Sequence, residues 1–218
     1  MSTTPLTLSF AGQQPPIALP QVPGTRGPVG VDMRGLNQSG FCSYDPGFAN
    51  TAGCQSAISW IDTENSVLLH RGYPVDQLAR QCDFLEVAYI MLNGDAPDEA
   101  SYQTFRETIT RHTLVHEQIA RMCSGFRRDS HPMALMCALV GALAAFYHDV
   151  LDVENPQHRA LAATRLLSKM PTIAAMSYKY TIEQPAAYPR NDLSYAGNFL
   201  QMLFAIPAET YVLNPVIE

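Results

Sequence analysis

Two histidines four residues apart are the first residues whose spacing could do chemistry. In Arg111-His112-Thr113-Leu114-Val115-His116-Glu117 they have the i, i+4 spacing by which helical zinc sites present two imidazoles on one face. A zinc hydrolase of that kind needs Glu directly after the first His, where Thr113 stands, and no third ligand has an evident position. The pair reads as capping or polar-surface histidines, and no metal is expected. A second group is cationic. Arg111, Arg127, Arg128, Arg165, Lys169, Lys179 and Arg190 fall near expected helix ends or on otherwise apolar helices. A lone positive charge there is costly unless water or an anion meets it. Solvation and structural ion pairs explain most such residues, and a convergent anion pocket needs evidence beyond spacing. Neither a Ser-His-Asp order nor a Gly-rich phosphate loop stands out.

The elements that must position these residues are mainly α-helical. Phe84, Val87, Ala88, Ile90, Met91 and Leu92 recur at helical spacing until Asn93-Gly94 stops them, and Pro97-Asp98-Glu99 opens the next helix with acid in its first turn. Further helices are expected over 98–112, 115–127, 132–148, 155–168, 171–181 and 191–204, with Pro171 kinking or dividing the pair around it and Asn191 or Asp192 capping the last. Cys123 and Cys137 read as packing residues. The start of the chain differs: Leu6-Thr7-Leu8 alternates, Asp45-Pro46-Gly47 forms a turn, and 57–62 with 66–70 form a hairpin. The expected organisation is a small β-rich segment, 1–70, followed by a multi-helical body, 71–218.

The apolar run Met133–Tyr147 carries no charge over fifteen residues. As a helix it would be ~22 Å long against a hydrocarbon core of about 30 Å, so it is too short to span a membrane. Its polar ends and small residues mark a helix packed in protein. Hydrophobic residues form 47% of the chain and charged ones only 16%, which calls for burial against further chain or subunits. A net charge of −6 gives no basic footprint for nucleic acid. Five cysteines without CxxC spacing, and an N-terminus without a basic region leading into an apolar run, fit a reduced cytoplasmic protein with no secretory signal.

Five stretches carry a resemblance. SYDPGFANTAGCQSAISWIDTENSVLLHRGYPVDQLA, FLEVAYIMLNGDAP, FRRDSHPMALMCALVGALAAFYHD, RLLSKMPTIAAMSYKY and YPRNDLSYAGNFL closely resemble, in order, the N-terminal half of bacterial citrate synthases of the NADH-regulated, hexamer-forming type. The similarity runs from about Val31 to the end. It implies a citrate-synthase-like helical large domain preceded by a small β-rich segment. It also implies an enzyme of the tricarboxylic acid cycle that condenses acetyl-CoA with oxaloacetate to citrate and CoA, with no cofactor required. In that chemistry an Asp takes a methyl proton, a neutral His stabilises the enol and a second His assists at the oxaloacetate carbonyl. The sequence ends at Glu218, before the family's His-Glu-x-Asn motif, so none of that triad has a position here and this chain alone is expected to be inactive.

The resemblance carries over an allosteric NADH site, residue by residue. Arg111, His112 and Thr113 match the family's Arg-His-Thr, Tyr147 the Tyr of Phe-Tyr-His-Asp, Arg165 and Lys169 the basic pair of Arg-Leu-Leu-Ser-Lys, and Arg190 the Arg of Tyr-Pro-Arg-Asn-Asp. Arg and Lys would meet the pyrophosphate while His and Thr bond phosphate or ribose oxygens. Ala208 follows Pro207 where NADH-sensitive relatives carry Cys, a departure that bears on sensitivity. Helix 132–148 is assigned to the neighbourhood of a subunit contact in a homodimer or hexamer. The same chemistry on propionyl-CoA, as in 2-methylcitrate synthase, is an alternative within the class. A noncatalytic helical fragment that binds nucleotide or full-length subunits is the alternative outside it.

Overall fold

Short alternating runs in the first part of the chain become paired strands. The computed structural model describes residues 4–12 and 15–217. It divides into two units, Met1–Asp76 and Gln77–Glu218. In the first unit, β1 (Leu6–Leu8) pairs antiparallel with β2 (Ile17–Leu19), and β3 (Gln21–Val22) with β4 (Gly30–Val31). A three-stranded meander follows, β5 (Ser59–Asp62), β6 (Val67–His70) and β7 (Tyr73–Pro74), with Trp60 opposite Leu69 and Ile61 opposite Leu68. The expected hairpin is present, and Asp62 shapes its turn by accepting from the backbone N–H groups of Glu64 and Asn65.

α1 (Val75–Gln81) leads out of that unit. α2 (Phe84–Asn93) starts where the Asp83 carboxylate accepts from Glu86 N and stops where Gly94 takes φ 98°. α3 (Glu99–Arg111) starts in the same way at Asp98. α4 (Glu117–Met122) and α5 (Pro132–Phe146) are capped by the Nδ1 atoms of His116 and His131. α6 (Pro156–Thr181) is capped by Asn155, and α7 (Tyr195–Phe204) by Ser194. The core of this unit sets Ile173 and Met176 of α6 against Leu139 and Leu143 of α5 and against Ile119 and Cys123.

Several expectations need correction. The helices expected over 155–168 and 171–181 are one continuous helix with Pro171 inside it. Proline cannot donate to the carbonyl four residues back, a loss that breaks most helices. Here Tyr195 Oη takes over as donor to Leu167 O at 2.9 Å, from outside the helix. The last helix is capped by Ser194, not by Asn191 or Asp192. The helix expected over 115–127 is α4 followed by a 3-10 turn, Cys123–Gly125. α5 buries Leu135, Leu139 and Leu143, but Ala134, Cys137, Gly141, Ala144 and Ala145 are exposed, so within one chain protein does not surround it. Cys123 packs inside as expected, whereas Cys137 faces out. Among the described residues no helix is long and apolar enough to cross a membrane.

Candidate functional site

The two spaced histidines do not share a helix. His112 is the C-terminal cap of α3 and His116 the N-terminal cap of α4, so the geometry behind a helical metal pair does not form. His112 Nδ1 donates to Thr108 O at 2.7 Å, closing the last turn of α3. His116 Nδ1 accepts from Gln118 N, opening α4.

The short linker between these caps is held by side chains of α6. Lys169 Nζ donates to His112 O and to Leu114 O, both at 2.6 Å. Thr172 Oγ1 donates to Thr113 O at 2.8 Å. Three consecutive carbonyls that would otherwise lack helical partners are thereby satisfied. Thr113 is itself buried, and its hydroxyl donates back to Thr110 O. Lys169 is only 3% exposed. Burial, with the charge of Arg165 second, pushes its ammonium down from 10.5 to about 8.

One turn before Lys169 on α6, Arg165 lies over the Tyr147 ring with its guanidinium carbon 4.8 Å from the centroid, and Lys169 Nζ lies 5.2 Å from the same centroid. Tyr147 is the C-terminal cap of α5, and Asp149 follows it in a 3-10 turn, His148–Val150. Arg165 grips that carboxylate with two hydrogen bonds, at 2.8 and 3.0 Å. The grip holds Asp149 below the usual carboxylate range and raises Arg165. The ends of α3 and α5 and the middle of α6 thus converge on one cationic cluster.

The structure brings His112, Thr113, Tyr147, Arg165 and Lys169 together. Arg111 turns outward to Glu107 one helical turn back, at 3.2 Å. Arg190 pairs with Asp192, and its backbone N–H donates to the buried Asn198 on α7. Among the described residues no hydrogen bond or ion pair joins Arg190 to the cluster. Sequence reasoning missed Asp149 and Thr172. The first had a signal, an acid two residues after Tyr147, and the second had none. Among the described residues no group of three or more His, Cys, Asp or Glu is placed to hold a metal ion.

A family profile described as citrate synthase, C-terminal domain, matches residues 47–216. The chain belongs to the citrate synthase family. Solved citrate synthases share its fold: that of Pyrobaculum aerophilum is 28% identical with a TM-score of 0.66, the match covering 71% of this chain and 40% of that one. That of Thermotoga maritima MSB8 is 25% identical with a TM-score of 0.63, covering 74% and 42%. The citrate synthase of Thermoplasma acidophilum, solved as a ternary complex with carboxymethyl coenzyme A and oxaloacetate, is 23% identical with a TM-score of 0.65, covering 71% and 40%, and shows the fold alone. The chain therefore spans about two fifths of the length of these citrate synthases.

Proposed function

We propose that this chain is the N-terminal portion of a cytoplasmic citrate synthase that condenses acetyl-CoA with oxaloacetate, and that its own residues form the site through which NADH inhibits that enzyme. Catalysis then falls to an Asp and two His supplied by further chain, and the 218 residues alone turn over no substrate. Family membership supports the reaction, and one observation supports the site. Among the described residues Arg165, stacked on Tyr147, is paired with one carboxylate, that of Asp149 at the surface. The Asp149 carboxylate is open to solvent while Arg165 is half-buried, so a phosphate arriving from solvent can take the place of Asp149 and keep the guanidinium paired. Tyr147 offers an aromatic face beside that charge, and Arg111 adds an exposed cation at the end of α3. The donor set fits a dinucleotide phosphate, with Arg165 as its principal ligand.

In the same reading the exposed face of α5 packs on a second copy of the chain in a homodimer or hexamer, which accounts for its uncovered small residues. The reaction is tested by thiol release from acetyl-CoA in the presence of oxaloacetate. The 218-residue chain should release no thiol above the uncatalysed rate, and a chain extended through downstream coding sequence should release it. Release by the short chain would place catalytic groups within these residues and refute the assignment.

A further inference from the structure

Two helices of the second unit are capped in a way that depends on a proton. His116 Nδ1 accepts from Gln118 N at 3.1 Å at the start of α4, and His131 Nδ1 accepts from Met133 N at 3.2 Å at the start of α5. A backbone N–H can only donate, so both imidazoles accept through a bare Nδ1 and carry their hydrogen on Nε2. A second proton turns Nδ1 into a donor facing a donor, and it sets a positive charge against the positive end of a helix. Imidazole is the side chain that ordinarily changes charge between pH 5 and 8. Neighbouring helices are capped differently. Asn155 and Ser194, at the starts of α6 and α7, carry no titratable group, and Ser101 holds the α3 cap, Asp98, below the usual carboxylate range.

The two caps sit at opposite ends of one antiparallel pair. The His116 ring, at the start of α4, lies 5.2 Å from the Phe146 ring at the end of α5, whereas His131 opens α5. Ile119, three residues after the first histidine, and Leu135, four after the second, are fully buried. Both imidazoles are exposed, so protons reach them from solvent. The described charges around them are engaged elsewhere. Glu117 accepts from Tyr188 Oη, Lys169 of α6 donates to Leu114 O, and Asp129 pairs with Arg127. Arg128 lies over the Tyr180 ring and 3.9 Å from Glu183. Among the described residues neither histidine forms an ion pair, so no carboxylate offsets a protonated ring. Tyr180 Oη donates to Phe126 O at 2.7 Å and fastens the middle of the connection to α6 independently of either cap.

We propose that His116 and His131 form an acid-released clasp. As neutral rings they close the first turns of α4 and α5, and their protonation as pH falls from about 7 to about 5 opens both turns while α3, α6 and α7 stay capped. The closed turns bind one proton fewer at each ring than the open ones, so closure is favoured as pH rises and lost as it falls. The α4 and α5 pair is thereby the first part of the helical body to uncover core residues on acidification. The clasp rests neither on the reaction nor on the nucleotide site.

Nitrogen-15 NMR of the imidazoles in the 218-residue chain at pH 7.5 should show Nδ1 bare and Nε2 protonated in both rings. Amide hydrogen exchange at pH 7 and pH 5, expressed as protection relative to unstructured peptide at each pH, should then report the release. Gln118 and Met133 should lose protection about tenfold, the scale of a lost cap with an unfavourable helix-end charge added. Ser101, Gln157 and Gly197, held by Asp98, Asn155 and Ser194, should keep theirs. Asn is a strong cap with no proton to gain, so the double variant His116→Asn, His131→Asn should fold as the wild type and hold its protection at pH 5. A proton on Nδ1 of either ring at pH 7.5, or undiminished protection of Gln118 and Met133 at pH 5, overturns the clasp. Loss shared by Ser101, Gln157 and Gly197, or persisting in the Asn variant, assigns the opening to general acid unfolding and overturns it equally. Loss at one histidine alone refutes the pairing.

Discussion

Tyr195 Oη donates at 2.9 Å to the backbone carbonyl of Leu167, the acceptor that Pro171 leaves without its helical N–H. The α7 tyrosine thus repairs the helix that carries Arg165, Lys169 and Thr172. Its ring is also stacked on Phe84, centroids 4.8 Å apart, and burial pushes its hydroxyl up to about 12. Tyr195→Phe keeps the ring and deletes only the repair. It should cost about 1–3 kcal/mol in urea unfolding, the range for a carbonyl left unsatisfied. Pro171→Ala returns the missing N–H, so in that background the same substitution should cost less than half as much. An equal cost in both backgrounds would separate the hydroxyl from the proline.

Much of the helical body is legible from residue order, because its signals are local. Asp83 and Asp98 start helices three residues before the backbone groups they cap, and Gly94 ends one on its own conformational freedom. The continuity of α6 is not legible, because the rule that proline divides helices is local while the donor that suspends it is 28 residues away from Leu167. The break between His112 and His116 is hidden for the same reason, since its clamp comes from Lys169, 57 and 55 residues from the carbonyls it holds. At the site, physics alone flags scattered cations. The family resemblance groups them, and the fold adds Asp149 and turns Lys169 inward.

Stability should depend on alkaline pH through Lys169. Its proton is held to about 8 in the folded chain and near 10.5 in the unfolded one, so between those values the unfolded state binds more protons and stability rises with pH. The full difference corresponds to ~3 kcal/mol. Lys179, buried and lowered in the same direction, adds to the rise. Above about 10 Tyr195 acts oppositely, because its hydroxyl ionises more readily unfolded than folded. Chemical denaturation at pH 7.5, 8.5 and 9.5 should show the increase, and Lys169→Met should flatten it. Equal slopes for the two proteins would mean that Lys169 is not buried as described.

The uncovered face of α5 should govern self-association. Gly141 is exposed, and a Cβ placed on it meets no atom within 4 Å, so Gly141→Leu leaves the single chain's packing intact. Leucine is also the better helix former. Sedimentation equilibrium should show association weakened tenfold or more, about 1.4 kcal/mol, with an unchanged circular dichroism spectrum. Unaltered association would move the interface elsewhere.

Asp149 occupies the guanidinium that, in the proposed site, binds the anion. Asp149→Asn removes the competing charge while keeping an acceptor near Arg165, so NADH affinity should rise about threefold to tenfold, in keeping with a charged partner exchanged for a neutral one. Competition should also fade as salt weakens the surface pair, so the advantage of the variant should shrink at high ionic strength. Weaker NADH binding by Asp149→Asn would make the carboxylate a supporting partner of Arg165 and not a competitor.

The proposed nucleotide site is tested most directly by an equilibrium fluorescence titration of the 218-residue chain with NADH at pH 7, beside Arg165→Gln. The wild-type chain should bind saturably, with one NADH per chain, and the variant should bind at least tenfold more weakly with unchanged secondary structure. Absence of saturable binding to the wild type, or equal affinity in the two proteins, would contradict an NADH site on the Arg165–Tyr147 platform.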